Sequence, residues 1–210
     1  MRRLLSALGL AALIIAAMPS AWPLPLSHAI ERVPFVEQQP RWCGPAALES
    51  VLRHYGINAT QRAIADEITL PSGEVLNLDL KLYARRRGLR AESARGDLGL
   101  LKAWIARDVP VICQVRAGGL GSRPNHFIVV FGYDERKFSF IAHTGERAAQ
   151  QIPFLDFARS WRDGGNWMLV IRPPRRSGQS PQPPPAEPAP SEDAKAKSDE
   201  ATSDPAQSGK

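Results

Sequence analysis

Apolar residues along this 210-residue chain change their period once, near Pro110, and that change limits the fold more than any other feature. Before it they recur at helical spacing. Ala46, Ala47, Leu48, Val51, Leu52 and Tyr55 form one stripe, with Pro45 suited to a first turn and Gly56 to a stop, which predicts a helix over 44–55. Thr60 is placed to cap a second helix ending at Ile68. Asn77 can cap a third, bearing Leu78, Leu82 and Ala84 ahead of Gly88, and Asp97 a fourth, bearing Leu98, Leu101, Trp104 and Ile105. After Pro110, the segments 111–115, 126–133 and 167–171 read as apolar strands, and 138–141 as the hairpin partner of 126–133 across the polar turn 134–137. Residues 30–35 predict a short extended lead-in, and Phe154, Phe157 and Trp161 a short helix. Helices first and antiparallel strands afterwards specify an α+β domain with segregated layers.

The two ends do not belong to that domain. Arg2 and Arg3 precede an apolar run from Leu4 to Met18, the pattern of a secretory signal peptide. The run is short for a membrane span, which needs roughly 20 apolar residues. Ser27 and Ala29 satisfy the small-residue cleavage pattern and place the cut before Ile30; Ala21 matches less well, and an uncleaved anchor is the other outcome. The chain is therefore expected to be exported, periplasmic or secreted, with no stable membrane insertion after cleavage. Beyond Ile171 there is no aromatic or large aliphatic residue, so residues 173–210 are expected to be a disordered tail. Residues 1–29 form the leader and 30–172 a domain large enough for a single core.

Lys and Arg total 27 against 21 Asp and Glu, but the arginines are scattered. Arg85, Arg86 and Arg87 sit at a helix end, where cations suit the dipole, and no aromatic-interleaved basic stripe accompanies them. No nucleic-acid partner is expected. Neither a phosphate-binding glycine loop nor metal-ligand spacing occurs, so no cofactor and no metal is expected.

Cys43 stands where a polar loop meets a helix start, so unpaired N–H groups and the positive end of the helix dipole favour its thiolate. A thiolate nucleophile needs an imidazole partner. Of four histidines, His28 lies at the cleavage site, and His54 lies eleven residues into the helix, about 16 Å along its axis. His126 opens an apolar strand after the glycine-rich loop 117–124, and His143 follows the partner strand, either close enough in a hairpin to contact His126 or simply a loop residue. Gln38 and Gln39 are side-chain amides in the loop before Cys43, either of which can assist its backbone N–H in holding an oxyanion. Two plainer roles compete: Cys43 as a small buried side chain, or a Cys43–Cys113 disulfide, although Cys113 in mid-strand suits a core thiol better.

The stretch VPFVEQQPRWCGPAAL and the later HFIVVFGYD together resemble the bacteriocin-processing (double-glycine leader) cysteine peptidase family and its stand-alone, papain-like relatives. The resemblance runs from Val33 to Arg172 and implies a papain-like fold, with an N-terminal helical layer on a C-terminal antiparallel sheet. It implies a thiol-dependent peptidase acting on a peptide or protein, with Cys43 as nucleophile, His126 as general base and acid, and Gln38 rather than Gln39 as oxyanion donor. The family normally carries an Asp on the strand after the histidine to orient the imidazole. Here Ala142-His143-Thr144-Gly145 offers no carboxylate, and a one-residue gap places His143 in that role. The departure keeps open a non-catalytic peptide-binding module, and the same dyad would also serve acyl transfer.

Overall fold

The structure is a computed structural model describing residues 24–116 and 125–174. The apolar run 4–18, the glycine-rich loop 117–124 and the tail beyond 174 lie outside the described residues. The element order is β1 (Ser27–Ala29), α1 (Cys43–His54), α2 (Gln61–Ile68), α3 (Asn77–Arg86), β2 (Arg90–Arg95), α4 (Leu98–Ile105), β3 (Val111–Arg116), β4 (Asn125–Asp134), β5 (Ser139–His143), β6 (Gln150–Pro153), α5 (Phe154–Asp163) and β7 (Trp167–Arg172). The strands form one antiparallel sheet in the order β2-β7-β3-β4-β5-β6, with β1 added to β4. The α+β class with a papain-like layering is what the sequence predicts.

Period and capping chemistry account for the helices. The Thr60 side chain accepts from Ala63 N–H at 3.2 Å, and Asp97 from Leu100 N–H at 2.8 Å, so both predicted caps form. Asn77 does not cap α3. It is the first helical residue, Leu76 holds the capping position, and the Asn77 amide instead donates to Gln114 Oε1 at 2.9 Å. The buried face of α3 is Leu80, Tyr83 and Ala84, which share one face at i, i+3 and i+4, while Leu78 and Leu82 lie on another face and are exposed.

The sheet draws on both halves of the sequence. β2 reads RAESAR, with no apolar run to announce it, and is held by its six-residue pairing with β7. The extended lead-in lies at Ser27–Ala29 rather than 30–35, and pairs with Asp134–Gly132 of β4. Arg32, with φ of 56°, turns the chain out of the strand. The Ser27-His28-Ala29 segment expected to hold the cleavage site pairs with the sheet, and Ile30 is core. Among the described residues, no helix is long and apolar enough to cross a membrane.

Central strands β3, β4 and β7 are buried along nearly their whole length, as strands covered on both faces are. α1 packs on β4, α4 on β3 and β4, and α5 on β3, β5 and β6. Phe140, Phe157 and Trp161 stack in sequence between the sheet and α5, with centroid separations of 4.7 and 5.2 Å. The result that matters for chemistry is that the first turn of α1 lies against the first residues of β4.

Candidate active site

Gly44 explains how closely α1 approaches β4. A Cβ built there would sit 3.3 Å from Phe127 Cδ2, 3.4 Å from Val75 Cγ1 and 3.5 Å from Leu80 Cδ2, so protein atoms fill the space a side chain would take. Phe127 follows His126 directly, and seating it against Gly44 brings the two functional side chains together. Cys43 and His126 line the same groove, near enough for each to favour the charged form of the other. Both cysteines are free, which excludes the disulfide, and Cys113 is fully buried with its thiol held well above the ordinary range by that burial.

The electrostatics favour an ion pair. Burial alone would raise the Cys43 thiol, but the bond from His126, the N–H of Phe127, the imidazole charge and the N–H of Gly44 outweigh it and set the thiol below its usual value. The first turn of α1 holds no acidic side chain and Trp42 supplies no side-chain cap, so no carboxylate competes with the sulfur for that helix end. Burial would likewise lower His126; its bond and charge interaction with Cys43, the Thr144 carbonyl and the Glu146 carboxylate outweigh it and raise the imidazole.

His126 Nε2 lies 2.7 Å from the Thr144 carbonyl oxygen. A carbonyl can only accept, so Nε2 carries the proton and Nδ1 is left for Cys43, with its lone pair free when the ring is neutral. The imidazole is thus oriented by a main-chain carbonyl, not by His143, which corrects the contact expected between the two histidines. His143 is buried with both nitrogens engaged: Nδ1 accepts from Ala149 N–H at 3.1 Å and Nε2 donates to the Val33 carbonyl at 2.9 Å. Its ring packs on Phe131 and Phe35 at 4.4 and 5.4 Å. Burial lowers its pKa against the Val33 bond, so it is a neutral tie between β5 and the 33–38 segment.

That segment carries Gln38. The Ser50 hydroxyl donates to the Pro34 carbonyl at 2.6 Å and Gln38 N–H to the Gly145 carbonyl at 2.8 Å. The Gln38 side chain lies directly on Gly145, where a Cβ would collide with Oε1, and Gly145 has φ of 80°, the left-handed region that glycine favours. Oε1 is buried there without a hydrogen-bond partner, which leaves the NH₂ group as the donating part of the amide. Gln38, Cys43 and His126 line one groove of about 1060 Å³ together with Gly44, Asn77, Gln114 and Phe127. Gln39 is exposed on the other side of the loop, its N–H donating to Gln61 Oε1 at 2.9 Å. His28 and His54 stand apart from the groove, against Asp108 and the Arg32 carbonyl.

One turn, residues 144–147, therefore touches both His126 and Gln38. Thr144 N–H donates to the Arg147 carbonyl at 3.1 Å and Arg147 N–H to Thr144 Oγ1 at 3.1 Å, fixing the Thr144 carbonyl on His126 and Gly145 under Gln38. Sequence reasoning missed this turn because its working groups are main-chain atoms; the glycine after Thr144 was the one visible sign. Among the described residues, no group of three or more His, Cys, Asp and Glu side chains is arranged to hold a metal.

The profile of the Peptidase_C39 like family matches residues 30–167, about two thirds of the chain and the whole of this site. The chain belongs to that family. It is a member of the cysteine peptidases, as the paired motifs around Cys43 and His126 imply. Among solved structures it is similar to a candidate C39-like peptidase from Bacillus anthracis, with 18% identity and a TM-score of 0.62 over 72% of this chain and 98% of that one. It is also similar to the peptidase domain of Streptococcus ComA, a bi-functional ABC transporter, with 24% identity and a TM-score of 0.54 over 66% of this chain and 96% of that one. A double glycine motif protease from an AMS/PCAT transporter, solved with its leader peptide, matches at 22% identity and a TM-score of 0.55 over 70% and 98% of the two chains. At these identities the likeness supports the fold. No curated protein matches the chain.

A lowered thiol beside a raised imidazole predicts alkylation by iodoacetamide that is already fast at pH 6, below the ordinary thiol range, with Cys43 modified and Cys113 spared. His126→Ala removes two of the lowering influences and should slow labelling at pH 6 by about tenfold or more. Equal rates for the two proteins would contradict the ion pair.

Proposed function

We propose that this chain cleaves peptide bonds through a Cys43 thioester, with His126 as general base and acid and Gln38 as oxyanion donor. The observation that carries the proposal is the placement of Cys43, His126 and Gln38 in one groove, with Nε2 of the ring anchored on the Thr144 carbonyl. The Cys43 thiolate attacks the substrate carbonyl carbon, and the negative oxygen that forms is held by the Cys43 N–H and the Gln38 NH₂. Nδ1–H of the imidazolium gives its proton to the departing amine, leaving an acyl thioester and a neutral ring. Water then loses a proton to Nδ1 while its oxygen attacks the thioester, and the sulfur leaves as thiolate. Loss of imidazolium at high pH and of thiolate at low pH would make hydrolysis bell-shaped, with limits belonging to the coupled pair.

A carbonyl orients the ring without the full charge of a carboxylate, so it stabilises the imidazolium less. Glu146, exposed on the same turn, adds a solvent-screened charge in the same sense. The groove, open along α3 and β3, suits an extended peptide, the ligand type of the leader-bound protease. For localisation we propose export directed by the Leu4–Met18 run. The pairing of β1 with β4 supports removal of the leader upstream of Ser27.

Gln38→Ala is expected to lower kcat by about 10²-fold or more while leaving Cys43 alkylation at pH 6 unchanged. Gly145→Ala should do the same by displacing the Gln38 amide. Full turnover in Gln38→Ala would remove the oxyanion role. Peptide binding and biological effect retained by Cys43→Ser would favour the non-catalytic module, and amide-linked products by mass would favour acyl transfer. For export, N-terminal sequencing of the mature protein is expected to begin before Ser27; a first residue of Ile30 would contradict retention of β1.

A further inference from the structure

His126 forms a wall of two cavities. One is the groove that also contains Cys43 and Gln38. The other, about 340 Å³, shares His126 and Glu146 with the groove and is lined by neither Cys43 nor Gln38. Val115, Ile128 and Phe157 are buried at this second cavity, and the half-buried Ile152 of β6 joins them. Glu146 and Arg147, exposed and opposite in charge, stand at its margin.

We propose that this second cavity is the subsite for the substrate residue that follows the scissile bond, and that it takes a large apolar side chain. The inference rests on the peptidase reading and adds to it the specificity of the leaving side. The argument comes from where the atoms must go. The acyl half of the substrate stays on sulfur, so it occupies the groove that holds Cys43 and the oxyanion donors. The amine departs with a proton from His126, so its nitrogen must lie against the imidazole at that step. The side chain one bond further on then faces the cavity whose wall is that same imidazole. The aliphatic and aromatic walls outweigh the polar Thr144, Gln150 and Ser160 and favour an apolar occupant, and the paired charges at the margin leave no net preference for a cation or an anion. A cavity of this size is at the lower end of those that hold small ligands, which suits one leucine or phenylalanine side chain rather than a longer stretch of peptide.

The leaving-side subsite can be read directly by letting amines compete with water for the acyl-enzyme. A blocked glycine p-nitrophenyl ester would load Cys43, with release of p-nitrophenol reporting the loading. The amides of glycine, leucine and phenylalanine, each in excess, would then capture the acyl group, forming the amide bond and regenerating the thiolate. Leucinamide and phenylalaninamide are expected to capture about tenfold more efficiently than glycinamide, as an apolar pocket discriminates against a missing side chain. Ile152→Trp, on the half-buried β6 strand, should fill the cavity and abolish that preference while capture by glycinamide, which has no side chain to seat there, stays at the wild-type level. Equal capture of all three amides by the wild-type chain, or a preference that survives Ile152→Trp, would overturn the subsite alone. Failure to form any acyl-enzyme would overturn the peptidase reading and the subsite with it.

Discussion

A sulfur and an imidazole separated by more than eighty residues of chain meet here because a helix whose second residue is glycine packs on an aromatic ring near the start of a strand. Gly44 and Phe127 form that packing, and Cys43 and His126 are their immediate neighbours in sequence. The geometry of the dyad is thus a by-product of burying apolar surface between α1 and β4, which ties catalytic placement to the stability of the core. The charge separation follows from the same arrangement. A helix end with no acidic side chain and no capping side chain leaves its N–H groups for the thiolate, and the thiolate in turn holds the imidazole protonated.

The 144–147 turn does the rest of the positioning. In one stretch of backbone it presents a carbonyl to His126, a glycine to Gln38 and a carboxylate near the ring. His143, the side chain best suited on paper to replace a missing carboxylate, serves the turn indirectly. By bonding Val33 and Ala149 it pins β5 to the segment that carries Gln38. A buried neutral histidine with both nitrogens satisfied is a strong tie, because breaking either bond strands a polar group away from water.

How far the chain could be read without coordinates divides along physical lines. The period change at Pro110, the Thr60 and Asp97 caps and the paired motifs at Cys43 and His126 are side-chain signals, and the α+β layering and the family follow from them. β2 was not legible because RAESAR has no apolar pattern; only its partner β7 makes it a strand. β1 was hidden because Ser27-His28-Ala29 fits a cleavage rule as well as an edge strand. The cap of α3 was misassigned because Asn77 is a good cap by type, yet its amide is used by Gln114. The orienting group for His126 left no trace at all, since every residue has a carbonyl.

The account stands on coupling between the two halves of the dyad: the imidazole stays protonated because the thiolate is beside it. Titration of His126 by ¹⁵N NMR, in the wild-type chain and in Cys43→Ala, tests this most directly. The imidazolium should persist to higher pH in the wild type than in the variant, with the Nε2 proton on the Thr144 carbonyl retained in both. Superimposable titration curves for the two proteins would contradict it.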